Sequence, residues 1–243
     1  MRFVAASNSS EDEKARTDYV CDGLGDDVEI QSMIDGAPGG GLGLLRDKYQ
    51  ANDWFQDAAR YWAEAFPQIE SRLKATSACV TVHADNRATY SRELAGTLKE
   101  AGSSLDSLLR RLLTGARGPA QGKKYEFPSF RSFLTYEVPD IHRRSVTFRP
   151  RFPGGVVVPF EALQISDGTP EWWTSFNKVK HEESTEYRRG NLENALTAVA
   201  ALALLGQQMG IFVSDELFAN VGIAYPEDSI DLSAERRLFP SPR

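Results

Sequence analysis

The stretch YSRELAGTLKEAGSSLDSLLRRL, residues 90–112, decides the fold class, because its apolar residues keep one helical period. They recur at steps of three and four, which places them on one face of an α-helix. Asp85 or Asn86 before the stretch is a candidate N-cap, and Gly115 after it is a candidate terminator. A helix of about 28 residues is long for a globular protein, so we expect the central helix of a bundle.

Segments on both sides of this helix show the same period. From Asp53 onward the apolar residues again form one helical face, which Pro67 is expected to kink or restart. Near the end of the sequence, Leu192–Met209 is apolar almost all round, with Gly190-Asn191 at its start and Gly210 after it. A helix that is apolar on every side is a buried helix. The sequence therefore predicts a mainly α-helical protein.

Residues 116–168 interrupt the helical pattern. Glycine and proline become frequent there, and three segments rich in aromatic and β-branched residues predict short strands: Ser132–Val138, Ser145–Phe148 and Val156–Phe160. Pro153-Gly154-Gly155 predicts a turn. We interpret residues 116–168 as a β-rich insertion between helices, which makes the overall class α+β. The whole of residues 46–243 is then one helical domain with this insertion.

Charge is unevenly distributed along the chain. Residues 1–45 are rich in acids, glycine and polar residues, which predicts a flexible acidic N-terminal arm. The net charge of −6 argues against a generic polyanion-binding protein. The segment Arg117–Arg151 differs, with eight Lys/Arg against three Asp/Glu.

Arginines and aromatic residues alternate at the end of that basic segment. Arg143, Arg144 and Arg149 stand beside Phe148 and Phe152, a combination that suits single-stranded nucleic acid. The alternative is a strand with one solvated basic face, or a basic strand paired with the acidic arm.

Composition predicts a soluble cytoplasmic protein that requires no metal or cofactor. Two cysteines cannot form a disulfide framework, and no signal peptide precedes them. The longest apolar run, from Ala195 to Leu205, is shorter than the roughly 20 residues that a membrane-spanning helix needs. Cys79 and His83 supply at most half a zinc site.

The segment after Thr169 and Pro170 holds the candidate functional residues. Thr169 is a candidate N-cap and Pro170 suits a first helical position. On such a helix one face carries apolar core residues, and a second face carries Trp173, Asn177, Lys180 and His181. Lys180 would disfavour a charged imidazole, which leaves His181 available as a base. The alternatives are a solvated helix face or a dimer contact, and for the Trp172-Trp173 pair a place in the core.

Two blocks carry a resemblance to a known family. Pro170 to His181, read with Asn191 to Leu196 and with Asn86 to Ser91, resembles an uncharacterised bacterial and phage group that is similar to the HEPN superfamily of helical bundles. Many HEPN proteins are RNA-cutting toxins or defence effectors that act as homodimers without metal. The family signature is an arginine, a polar residue and, three to five residues later, a histidine. Asn177 and His181 match it, whereas Phe176 stands at the arginine position.

The resemblance implies two interpretations. In the first, the protein is a metal-independent endoribonuclease of toxin or antiphage defence, with His181 as general acid or base, Asn177 orienting it and Lys180 stabilising charge. In the second, it is a non-catalytic module for dimerisation or for binding RNA or protein, because Phe176 replaces the signature arginine. The nucleic-acid contacts expected under either interpretation are Trp173, Arg143, Arg144, Arg149, Arg188 and Arg189.

Overall fold

The structure, a computed structural model, describes residues 43–119, 125–148, 156–211 and 218–223. In these residues it contains six α-helices and three β-strands. The helices are α1 Leu44–Tyr49, α2 Asp53–Ser77, α3 Arg92–Arg117, α4 Phe127–Glu137, α5 Glu171–Glu186 and α6 Leu192–Gln208. The strands are β1 Arg144–Phe148, β2 Val156–Val157 and β3 Phe218–Ile223. The predicted N-terminal arm lies outside the described residues except for its last three, of which Leu45 is buried in the core.

Helix α3 corresponds to the predicted central helix, but it begins and ends at residues other than those predicted. Its N-cap is Ser91, whose hydroxyl accepts a hydrogen bond from the Leu94 amide at 3.1 Å. The predicted caps Asp85 and Asn86 instead belong to a separate 3-10 helix. The helix runs through Gly115 and ends at Gly118, which has a φ of 82° that suits glycine. Both predicted ends were therefore wrong by a few residues.

Helices α2 and α6 pack against α3 and complete the main core. α2 continues through Pro67 as one helix and is not restarted there. Its Trp62 lies against Gly206 of α6, and the Trp62 indole nitrogen donates to the Leu202 carbonyl at 2.7 Å. α6 is buried almost throughout, as its composition predicts, and Gly210 follows it with a φ of 73°.

A small antiparallel sheet covers one side of the helices, with the strand order β2-β1-β3. Val146 of β1 pairs with Val157 on one side and with Val221 on the other. The predicted strand at Ser145–Phe148 is confirmed, but the strand predicted at Val156–Phe160 ends at Val157.

The strand predicted at Ser132–Val138 was wrong, because these residues form most of helix α4. Pro128 lies in the first turn of α4, where a missing amide hydrogen costs nothing. The buried residues of α4 recur at helical spacing, at Phe127, Phe130, Phe133 and Leu134. The insertion between α3 and α5 therefore contains a helix as well as strands, and the overall class is mainly α with a small sheet.

Within the described ranges, no helix combines the length and the apolar character that crossing a bilayer requires.

Candidate functional site

Helix α5 positions the candidate residues. It begins at Glu171 with Pro170 as its N-cap residue, one position later than predicted. Trp172, Phe176 and Val179 are buried, as expected for its core face. Phe176 is only 1% exposed and lies directly against Gly102 of α3. A Cβ atom at Gly102 would be 2.4 Å from the Phe176 ring, so the two helices touch at this point.

Trp173 belongs to the core and not to an exposed polar face. Its side chain is 7% exposed, and its ring centre lies 5.1 Å from that of Phe127 and 5.8 Å from that of Phe130. The predicted role of Trp173 in nucleic-acid binding is therefore corrected, because a ring enclosed by α4 offers no face for an incoming base.

Asn177 and His181 share one groove on the outer side of α5. The groove has a volume of about 350 Å³, and its lining is Trp173, Thr174, Asn177, Lys178, His181 and Glu182. The Asn177 amide nitrogen donates to the Trp173 carbonyl at 2.9 Å, which fixes the orientation of the amide. The His181 side chain is exposed. The predicted pairing of these two residues on one face is thus present.

Lys178, and not Lys180, lines this groove. The Lys180 ammonium lies 5.2 Å from the centre of the Phe176 ring, which is a cation–π contact. Lys180 was predicted to join His181, but a step of one residue rotates the side chain by about 100° around the helix. Lys178 lies four residues after Thr174 and three before His181, so helical spacing alone indicates its position.

The helical face that carries Asn177 and His181 does not continue regularly beyond His181. Glu182 leaves helical geometry, with φ −136° and ψ 45°, and a 3-10 helix Tyr187–Arg189 follows the end of α5. Ser184 and Arg188 therefore do not continue the Asn177–His181 face, as an unbroken helix would have required.

Arg189 is engaged in ion pairs. Its guanidinium contacts the carboxylates of Glu171, at 2.8 Å, and Glu186. The hydrogen bond with Glu186 raises the pKa of Arg189. Arg189 therefore joins the two ends of α5, and a phosphate would have to compete with two carboxylates for it.

Arg188 lies in a cluster of exposed tyrosines that the sequence did not predict. Its guanidinium carbon is 5.9 Å from the centre of the Tyr187 ring, and a side-chain hydrogen bond with Tyr187 raises the pKa of Arg188. The Tyr187 ring meets the Tyr90 ring edge to face, with 5.3 Å between the ring centres. Tyr90 precedes α3, so two distant parts of the chain meet here.

The backbone holds this meeting point together. Tyr90 and Asn191 form an isolated antiparallel bridge. The Leu192 amide donates to the Thr89 carbonyl at 2.8 Å, and the Glu193 amide donates to the Arg87 carbonyl at 3.0 Å. Arg87 and Glu193 also form an ion pair. The two sequence blocks that carry the HEPN resemblance are therefore in direct contact, which we call the junction.

A larger cleft of about 810 Å³ opens beside the junction. One wall is apolar and includes Val156 to Pro159, Pro170 and Trp172. The charged residues that line the cleft are three arginines and three glutamates, Arg87, Arg188 and Arg189 with Glu161, Glu171 and Glu193. This lining is close to neutral.

The three nucleic-acid contacts predicted in the basic segment have different outcomes. Arg143 is partly exposed in the 3-10 helix Ile141–Arg143. Arg144 is 3% exposed at the start of β1, so its predicted contact with nucleic acid is wrong, because a buried guanidinium is not accessible to a phosphate. Arg149, the third predicted contact, lies outside the described residues.

Metal ligands are not grouped in the part of the chain that the structure describes, where no three His, Cys, Asp or Glu side chains come together. His83 instead accepts a hydrogen bond from the Asp85 amide at 3.2 Å, and Cys79 is an exposed free thiol.

Comparisons of this chain with protein-family models, with curated proteins and with solved structures found no match. The family resemblance thus rests on the two sequence blocks alone.

Proposed function

We propose that this protein is a HEPN-like helical module that binds RNA without cutting it. The observation that supports the absence of cutting is the burial of Phe176 against Gly102. In a metal-free ribonuclease of this type, a guanidinium stabilises the charge that develops on the scissile phosphate, and such electrostatic terms usually dominate catalysis. At position 176 the side chain points into the core, so the signature position supplies no such group.

Other cations replace this arginine poorly. Arg189 is bound to two carboxylates, and Arg188 lies beyond the irregular residue Glu182. Lys178 is close to His181 in the groove, but an ammonium acts as a point charge and lacks the bidentate fork of arginine. The groove is better suited to holding a phosphate than to stabilising a pentavalent transition state.

The groove offers three kinds of contact to RNA. Lys178 brings a positive charge, His181 brings a hydrogen-bonding imidazole, and both are exposed. Asn177 has its amide nitrogen bonded to the helix, which leaves the side-chain oxygen as the group that accepts from a ribose hydroxyl. These contacts are made to ribose and phosphate and not to the bases, so we expect the groove itself to show little preference for RNA sequence.

A metal-independent endoribonuclease is the second candidate, and the exposed His181 beside Asn177 is the observation that favours it. His181 would take the proton of a ribose 2′-hydroxyl, and the 2′-oxygen would attack the phosphorus as the bond to the 5′-oxygen breaks. One histidine cannot also protonate the leaving oxygen in the same step. A second copy of the chain would have to supply that acid, so this candidate requires a homodimer.

One experiment separates the two candidates. Fluorescently labelled single-stranded RNA is incubated with the protein in EDTA, and anisotropy and gel mobility report binding and cleavage. We expect the protein to bind the RNA without cleaving it. Lys178→Ala should weaken this binding, whereas the control Lys74→Ala, at the end of α2, should not. Cleavage that persists in EDTA and disappears in His181→Ala but not in His142→Ala would establish the ribonuclease. Absence of RNA binding would contradict both candidates and would favour a protein partner.

A further inference from the structure

We propose that Tyr90, Tyr187 and Arg188 form a second contact for single-stranded RNA, at which an unpaired base stacks on a tyrosine ring and Arg188 binds the adjacent phosphate. This inference rests on the proposed function, because it requires that the chain binds RNA. It adds a site outside the His181 groove, in which Arg188 was expected from the sequence and the two tyrosines were not.

The side chains of Tyr90 and Tyr187 are exposed to solvent. Tyr90 is 47% exposed and Tyr187 is 42% exposed, although both rings are large and apolar. Among the described residues, only Tyr136 and Ile165 are also large apolar residues with this degree of exposure, and Tyr136 lies on α4. Tyr90 and Tyr187 are instead neighbours, and adjacent exposed aromatic rings are the usual surface on which single-stranded nucleic acids stack.

Backbone hydrogen bonds hold the segments that carry the two tyrosines in place. The bridge between Tyr90 and Asn191, together with the hydrogen bonds that the Leu192 and Glu193 amides donate to the Thr89 and Arg87 carbonyls, holds the backbone of Tyr90 against the start of α6. The Gly190 amide donates a hydrogen bond to the Tyr187 carbonyl at 3.0 Å, which links Tyr187 to the same point. The interplanar angle is 70°, so the edge of one ring meets the face of the other. At least one face of each ring is therefore not covered by its neighbour. Because the rings are already ordered, little conformational entropy is lost when a base stacks on them.

The charges around the tyrosines indicate a single phosphate and not a continuous backbone track. Arg87 is paired with Glu193, and Arg189 is paired with Glu171 and Glu186. Arg188 is exposed and contacts the two tyrosines. The carboxylates of the ion pairs would repel the closely spaced phosphates of a duplex. This arrangement favours a single strand, in which base stacking supplies most of the affinity and one guanidinium supplies the charge.

The two contacts are close enough for one RNA strand. His181 and Tyr187 are six residues apart in the sequence, and even a fully extended chain of that length spans only about 20 Å. A short oligonucleotide therefore reaches from the His181 groove to the tyrosines.

The test uses short single-stranded RNA that carries 2-aminopurine, whose fluorescence falls when the base stacks. We expect quenching by the full chain, and about tenfold weaker binding for Tyr187→Ala and for Tyr90→Ala, as expected for the loss of one stacked base. Tyr187→Phe keeps the ring and should retain both quenching and affinity. Tyr136→Ala is the matched control, because Tyr136 is 71% exposed but lies on α4.

Arg188→Ala should reduce the slope of log binding constant against log salt concentration by about 0.7, the value for one phosphate on a single strand.

Three outcomes would overturn the inference, and they differ in meaning. If the wild-type chain shows no RNA binding, the proposed function fails together with this site. If wild type binds RNA but the alanine variants bind equally well, or no quenching occurs, only the tyrosine site is wrong. If Tyr187→Ala loses self-association in light scattering while RNA binding is unchanged, the surface is a contact between copies. Circular dichroism of each variant confirms that it is folded before its binding is compared.

Discussion

At the scale of single residues, the contact between Gly102 and Phe176 determines how closely α3 and α5 approach. A methyl group at Gly102 would lie 2.4 Å from the phenyl ring, which is far inside van der Waals contact. We predict that Gly102→Ala destabilises the protein by up to about 2 kcal/mol, because overpacking costs roughly 1–3 kcal/mol and the gain in helix propensity offsets about 1 kcal/mol. Urea unfolding followed by circular dichroism measures the difference.

Gly96 provides the matched control in the same helix. A methyl group there meets only the far end of the Arg72 side chain, at 2.9 Å, and that side chain can move. Gly96→Ala should therefore be neutral or slightly stabilising. In a double-mutant cycle, Gly102→Ala combined with Phe176→Leu should cost less than the two single changes together, because the smaller side chain relieves the overlap. Additive costs would show that the two residues do not press on each other.

At the scale of secondary-structure elements, Asn191 starts α6 and also belongs to the junction. Its side-chain oxygen accepts a hydrogen bond from the Asn194 amide at 2.9 Å, and its backbone forms the bridge with Tyr90. We predict that Asn191→Ala lowers the free energy of unfolding by about 1 kcal/mol, the usual cost of losing an N-cap. Asn191→Asp retains an accepting oxygen and should stay close to wild type. An alanine variant as stable as wild type would indicate that the cap contributes nothing.

The central helix could be predicted because its apolar side chains repeat with the helical period over many turns, and α6 could be predicted because a long run of apolar residues is typical of a buried helix. Helix α4 could not, because its short run of aromatic and β-branched residues is also typical of strands, and only packing against Trp173 and the core decides between them. Capping residues are frequent before α3, so several candidates preceded the true cap, Ser91.

The residues of the candidate site could be predicted only where their positions follow from local helical periodicity. Asn177 and His181 lie four apart on a regular helix, and local periodicity placed them together correctly. Trp173 shares their helix line, yet α4 covers its ring, and no local pattern reports a helix that packs from elsewhere. The cluster of Tyr90 and Tyr187 depends on a backbone bridge between distant segments. Such contacts are set by the tertiary fold and leave no period in the sequence.

At the scale of the whole molecule, one continuous cluster of buried side chains connects the described elements. All six helices and the strands β1 and β2 contribute to it. A shared core implies that no helix keeps its packing once another has unfolded. We therefore predict a single cooperative transition in urea, in which far-UV circular dichroism and tryptophan fluorescence have the same midpoint and the same slope.

The positions of the tryptophans allow fluorescence to report on the unfolding of α2 and of α5 separately. Trp54 and Trp62 lie on α2, whereas Trp172 and Trp173 lie on α5. A variant with Trp54→Phe and Trp62→Phe reports on α5, and one with Trp172→Phe and Trp173→Phe reports on α2. Each variant has its own stability, so its fluorescence is compared with its own circular dichroism. We expect the two signals to coincide in both variants, because α2 and α5 both pack on α3. If fluorescence from α5 changes at a lower urea concentration than circular dichroism, α5 and its groove form a separate, weaker unit.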